Sequence, residues 1–177
     1  MPITPFHLGP GLAVKAVVGA RFSLMLFAFS QAMMDIEPTV RSLRGDAMVH
    51  GATHTYLGAT AVAVVSIVLG RPICQLLLRS VRPDPHSAFL NWIFGDTSIS
   101  WRAAAAGAFV GTYSHVLLDS LMHADMRPLA PWSQHNSLLG AVPLGSLHVA
   151  CVASGVFGVL LMMLLYVAGR YRTHRQH

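Results

Sequence analysis

The chain reads as an all-α protein of the membrane: a polytopic helical bundle in one domain over residues 1–177, with a short N-terminal helical hairpin and three spanning helices. Three observations lead there. Hydrophobic residues make up 54% and charged residues 11% of the sequence, with a mean hydropathy of +0.55, a balance foreign to soluble domains. Apolar runs long enough to enter a bilayer alternate with breaks that carry Arg and Pro. The basic residues fall in those breaks: twelve Lys and Arg against seven Asp and Glu give a net charge of +5, which the positive-inside rule accounts for without a nucleic-acid partner.

The first apolar run, Leu8 to Met34, is interrupted by Lys15, Gly19 and Arg21. One tilted span would bury both basic groups; two short helices meeting near Gly19 put them at a turn. Each arm is then about a dozen residues, or ~18 Å, short of the ~30 Å hydrocarbon layer, so other helices must enclose the hairpin. The second arm ends at Asp35-Ile36-Glu37-Pro38, where the proline disfavours helical continuation and a polar loop with Arg41, Arg44 and Asp46 is expected. Thr55 to Gly70 is the first span, closed by Arg71-Pro72. Arg79, Arg82 and Pro83-Asp84-Pro85 fill the next loop, and Ala88 to Phe94, with Trp92 and Trp101 nearby, reads as a segment lying in the interface. Ala103 to Met122 is the second span; its Gly107-x-x-x-Gly111 lets another helix pack closely. The last apolar segment runs from Leu138 through Ala168, with His148 inside it as a helix–helix hydrogen bond or a supporting group, and the basic tail from Arg170 stops it at a membrane surface. Cys74 and Cys151 are far apart and form no C-x-x-C pattern of redox or zinc chemistry, and neither is expected to be a ligand. The N-terminus lacks a signal peptide's basic start and cleavage site, so it is expected to remain in the mature protein.

The chemistry concentrates between Gly111 and Ser133. If that stretch is helical up to Arg127-Pro128, then His115, Asp119 and His123 stack one turn apart on one face, with Asp125 just beyond. Satisfied polar contacts between packed helices are the alternative to a metal site. His50 and His54 are i,i+4 on the turn entering the first span; either alone also reads as a capping or snorkelling histidine. A cytoplasmic tail puts Lys15, Arg21, Arg71, Arg79, Arg82 and Arg102 inside and only Arg41, Arg44 and Arg127 outside, the pattern of a multi-pass bacterial inner-membrane protein. With that orientation His7, Asp35, Glu37, His50, His54, His115, Asp119, His123 and Asp125 all lie towards the outer ends of their segments. Imidazole and carboxylate together suit a borderline divalent cation, zinc first, then manganese or iron. The candidates suffice for one or two ions, and two held ~3.5–4 Å apart would activate water and clamp a phosphoryl centre. No Walker loop, nucleophile elbow or dinucleotide fingerprint competes.

The motifs Thr4-Pro-Phe-His7, Asp35-Ile-Glu37, His50-Gly-Ala-Thr-His54 and Ser114-His115-Val-Leu-Leu-Asp119, in that order, resemble those of the bacterial membrane-bound metal-dependent hydrolases of the YdjM-like group. The resemblance implies His7, Asp35, His54, His115 and Asp119 as ligands, with Glu37 and His50 beside them. The motif order is also distantly similar to that of zinc-dependent phospholipase C and P1-type nucleases. By these likenesses the chain is expected to be a metal-dependent hydrolase of the outer membrane face, acting on a phospholipid or other phosphoester. Glu37 or Asp125 would serve as general base or orient a ligand. The alternative is a non-enzymatic metal-binding membrane protein, a transport component or a partner-binding module.

Overall fold

A computed structural model describes residues 5–80, 93–94 and 97–174, and every regular element among them is helical. Among the described residues six helices are delimited, in order: α1 (Leu8–Val18), α2 (Leu24–Met34), α3 (Ile36–Arg44), α4 (Tyr56–Ser80), α5 (Trp101–Met122) and α6 (Leu144–His174). Tight 3-10 turns at Pro5–His7, Gly19–Arg21 and Ala52–His54 join or precede them.

Local chemistry sets the starts. The hydroxyls of Ser23, Thr55 and Ser100 accept the backbone N–H of Leu26, Gly58 and Ala103, capping α2, α4 and α5. The break between α1 and α2 falls at Gly19, whose φ of 64° suits a residue without Cβ. The Lys15 ammonium folds back there and donates to the carbonyls of Gly19 and Phe22 at 3.1 and 3.0 Å.

Three expectations are corrected. Arg71-Pro72 does not close the first long helix. A π-helical segment at Ser66–Gly70 reorganises the ladder just ahead of Pro72, so the missing N–H is absorbed and α4 continues to Ser80. Asp35-Ile36-Glu37-Pro38 opens α3 rather than a loop, because Pro38 lies in its first turn, where a helix leaves N–H groups unpaired in any case. The helix bearing the His115 ladder stops at Met122, so His123 is its cap and not a member of its face. The expected interface segment from Ala88 lies outside the described residues except for Ile93 and Phe94, as do the side chains of the basic tail. Trp101 opens α5 and holds the Arg71 guanidinium 4.2 Å from its ring centre.

Helix α5 is the axis of the bundle. A Cβ on Gly107 would sit 2.3 Å from the Ser23 carbonyl oxygen, and one on Gly111 would sit 2.1 Å from Ser30 Oγ, so α2 runs against a seam of bare backbone on α5. A second seam joins α1 to α6, where a Cβ on Gly9 would strike the Cys151 carbonyl and one on Gly158 would strike Leu12. Helix α4 closes the remaining side: Ala59 packs with Met34, Val116 and Met126, and Cys74 and Leu78 pack with Leu26 and Ala104. Two helices, Tyr56–Ser80 and Leu144–Gly169, are long and apolar enough to cross a membrane. Their outward faces carry exposed apolar side chains such as Val68, Leu69, Leu76, Val156, Leu160 and Leu164, which water would not favour and acyl chains would.

The packing decides where the polar residues go. The start of α1, the end of α2, the start of α4 and the end of α5 meet at one end of the bundle, and with them come His7, Asp35, His54, His115 and Asp119.

Candidate metal centre

Asp119 is the hub. It lies in the last turn of α5, 4% exposed, and five imidazoles turn a ring nitrogen towards its carboxylate. His115 Nε2 is 3.1 Å from Oδ2, one turn back on the same helix. His54 Nε2 and His50 Nε2 approach Oδ2 at 3.5 and 3.9 Å from the turn before α4. From the other side His7 Nε2 and His123 Nε2 lie 3.7 and 4.0 Å from Oδ1. His50 and His54 are not one turn apart on a helix as their spacing suggested. A 3-10 turn at Ala52–His54 brings their rings to 5.0 Å, edge to face.

The far side of each ring fixes what the near side can do. His50 Nδ1 bonds Asp125 Oδ1 at 2.8 Å, and a carboxylate can only accept, so the proton is on Nδ1 and the lone pair on Nε2. Asp125 is held in turn by the backbone N–H of Val49 and His50, at 2.9 and 3.0 Å. His54 Nδ1 meets the Thr53 hydroxyl at 3.0 Å; that hydroxyl donates to Glu37 Oε2, so it accepts from the ring. Arg41 Nε donates to Glu37 Oε1 at 2.9 Å and Thr53 N to Oε2 at 2.8 Å, which occupies both oxygens of the carboxylate. His115 Nδ1 bonds Gln31 Oε1, again an acceptor. In their neutral forms the three rings therefore turn Nε2 lone pairs to the same carboxylate.

Acceptors facing acceptors in a buried space repel unless a cation lies between them. His54 Nε2, His115 Nε2 and both nitrogens of His7 are buried without a hydrogen-bond partner among the described residues. Burial holds the His7 imidazole down at about 4 and that of His54 at about 3, so both are neutral at neutral pH, the form that ligates.

The fit to a metal is good. Zinc–ligand bonds of about 2.0–2.1 Å put tetrahedral neighbours roughly 3.3 Å apart, close to the spacings around Asp119. Three groups of ligand atoms lie within 4.8 Å of one another: His7, His115 and Asp119; His50, His54 and Asp119; and His50, His123 and Asp125. The first two are fully buried and share Asp119. These His and Asp groups can hold a metal ion, and the imidazole–carboxylate–amide pattern behind them is how ligating histidines are oriented.

Asp35 stands apart. Its Oδ1 is 3.5 Å from His115 Nε2, it joins none of the three groups, and its carboxylate accepts no hydrogen bond among the described residues. Burial pushes its carboxyl up to about 6. Glu37 and Asp125 differ: burial raises both, but hydrogen bonds from Thr53 and Arg41, and from His50 and Val49, outweigh it and hold them below the usual carboxylate range, Asp125 at about 2.

His148 stacks on Phe6, ring centres 4.8 Å apart, next to His7 but outside the groups, and His135 is exposed in the loop after α5. Gln31 and Thr53 take part although the sequence assigned neither a role. Gln31 had one signal, an amide in the largely apolar stretch from Leu24 to Met34; Thr53 lies within the His50-to-His54 motif but nothing singled out its hydroxyl. Comparison with protein-family models, with curated proteins and with solved structures finds no match to this chain.

Proposed function

We propose that the chain is a membrane-embedded, metal-dependent hydrolase of the YdjM-like kind, with one or two divalent ions, zinc first, held at the outer end of its bundle. The observation that carries this reading is the convergence of three imidazole Nε2 atoms, from His50, His54 and His115, on the buried Asp119 carboxylate, with each Nδ1 engaged on the far side of its ring. His7, His115 and Asp119 would hold one ion, and His50 and His54 with Asp119 a second. Ions so placed would lower the pKa of a bound water and neutralise charge developing on phosphoryl oxygens. His123, capping α5, borders the half-exposed side with Asp125.

The surrounding carboxylates divide the remaining work. Asp125 and Glu37 spend their oxygens on His50, Thr53 and Arg41, so we read them as holding ligands in register rather than taking protons. Asp35 has oxygens to spare beside His115 and is the carboxylate left to accept a proton from an attacking water. A phospholipid or other membrane phosphoester is the substrate class that suits a site flanked by two helices able to cross a membrane. The alternative, a metal-binding membrane protein without turnover, is favoured by the depth of the site, since closed coordination is the mark of structural zinc.

The test is elemental analysis of detergent-purified protein together with turnover on phosphomonoester, phosphodiester and phospholipid analogues. Wild type carries about one or two equivalents of divalent metal, and Asp119→Asn loses metal and activity together. Asp35→Asn keeps the metal and loses turnover by ~10² to 10⁴, the usual worth of a general base. Stoichiometric metal in a protein lacking both His115 and Asp119 would remove the site. Metal bound without turnover on any of the three classes would leave the non-enzymatic reading.

A further inference from the structure

Helix α3 is inside out. A surface helix of a water-soluble domain turns its apolar stripe to the core and its charges to solvent. In α3 the side that faces the protein carries Glu37 and Arg41, paired at 2.9 Å and bonded onward to Thr53 and to the Met48 carbonyl. The outward side carries Ile36, Val40 and Leu43 at i, i+4 and i+7, and Leu43 is 84% exposed. The Glu37–Arg41 pair is held in and these three aliphatic side chains are held out.

The surroundings say what covers that face. The turn after α5 is tied to the start of α4 by a hydrogen bond from Tyr56 N to the Pro128 carbonyl, and it exposes Leu129 and Trp132, the latter 79% exposed. A bare indole at the mouth of a helix able to cross a membrane is the mark of the headgroup layer. Arg127 approaches Met48 from this turn, its Nη2 3.7 Å from the sulfur, and links the same level to the loop that follows α3. Arg44 is exposed at the end of α3, one residue before the left-handed Gly45 that stops it.

We infer that α3 is an interfacial helix lying on the membrane leaflet that surrounds the site-bearing end of the bundle. Ile36, Val40 and Leu43 meet acyl chains, and Arg44 and Arg127 meet lipid phosphates. Glu37 and Thr53, which orient His54, are then on the protein-facing side of a lipid-covered helix. The inference rests on the reading that α4 and α6 cross the membrane, and internal controls separate the two.

The experiment uses the full chain with Cys74 and Cys151 replaced by Ala, reconstituted in vesicles of phosphatidylcholine and phosphatidylglycerol. Nitroxides are attached singly at Ile36→Cys, Val40→Cys and Leu43→Cys, all exposed positions. Val68→Cys and Val156→Cys report the spans, and Asp46→Cys reports water. Collision rates with oxygen, which partitions into lipid, and with a water-soluble nickel chelate are compared. The oxygen-to-nickel ratio at 36, 40 and 43 should be several-fold higher than at 46 and approach that at 68 and 156. A ratio at 40 and 43 equal to that at 46, with 68 and 156 in lipid, overturns the α3 assignment alone. Water-like ratios at 68 and 156 as well overturn the membrane reading and this inference with it. Shielding of 40 and 43 from both reagents, with spin–spin broadening between copies, would show that a second copy of the chain covers the face and would equally overturn it.

Discussion

At the scale of single residues, His50, His54 and His115 are each oriented by a group bonded to Nδ1, and that makes the orienting groups testable apart from the ligands. Thr53 Oγ1 stands between His54 Nδ1 and Glu37 Oε2. Thr53→Val keeps the shape and removes the hydroxyl, so His54 can place its proton on either nitrogen and loses the fixed Nε2 lone pair. Glu37→Gln removes the charge that fixes the hydroxyl's direction. Each should weaken metal binding by about 10–100-fold, read by competition against a chelating indicator. Because both act through one chain of bonds, the double variant should be little worse than the more severe single one. His135→Ala, exposed in its loop, should leave affinity unchanged. Undiminished affinity in Thr53→Val would dissolve the relay. The ligands themselves were legible in sequence because an ionisable group in an apolar chain is costly and stands out; Thr53 and Gln31 were not, because a neutral hydroxyl or amide is cheap to bury once bonded and resembles any helix-packing contact.

At the scale of elements, the distance between α2 and α5 sets whether Asp35 reaches His115 at all, and two glycines set that distance. A methyl at Gly107 would overlap the Ser23 backbone carbonyl, which cannot rotate away, whereas one at Gly111 would overlap the Ser30 hydroxyl, which can, and meet the Phe27 carbonyl oxygen only at 3.0 Å. Gly107→Ala should therefore lower stability by about 1–3 kcal/mol and loosen metal binding as well. Gly111→Ala should cost less, and Gly145→Ala, with open space around it, should cost nothing measurable. Thermal unfolding in detergent, followed by helical signal and by metal release, orders the three; equal effects at Gly107 and Gly145 would contradict the seam. The Gly107-x-x-x-Gly111 pattern announced this contact, and Lys15, Gly19 and Arg21 announced the turn between α1 and α2. Proline was the less faithful guide. Its cost depends on whether its N–H and ring fall in a regular ladder, and Pro72 follows a π segment while Pro38 sits in a first turn, contexts that only the folded backbone reveals.

At the scale of the whole molecule, the direction of α6 decides how the protein would sit in a membrane. Phe6, at the start of the described chain, stacks on His148 near the start of α6, so both lie at the site-bearing end. From there Leu144–Gly169 runs 26 residues, about 39 Å at 1.5 Å per residue, more than the ~30 Å of a hydrocarbon layer. If α6 crosses, the N-terminus and the C-terminus are on opposite faces. The basic residues choose which: Lys15 and Arg71 bond carbonyls of Gly19, Phe22 and Ile99 at the end away from the site, and Arg102 is in the first turn of α5 beside them. The site-bearing end has Arg41, Arg44 and Arg127 together with Glu37 and Asp125. From the positive-inside rule we propose that the site end would face outward and the tail from Arg170 the cytoplasm. A reporter fused before Met1 should be accessible from outside intact cells and one fused after His177 should not, while moving Arg to the site end, as in Ser42→Arg with Asp46→Arg, should weaken that bias. Both reporters on the cytoplasmic side would mean that α6 does not cross, and would remove the membrane-facing substrate path along with the outward site.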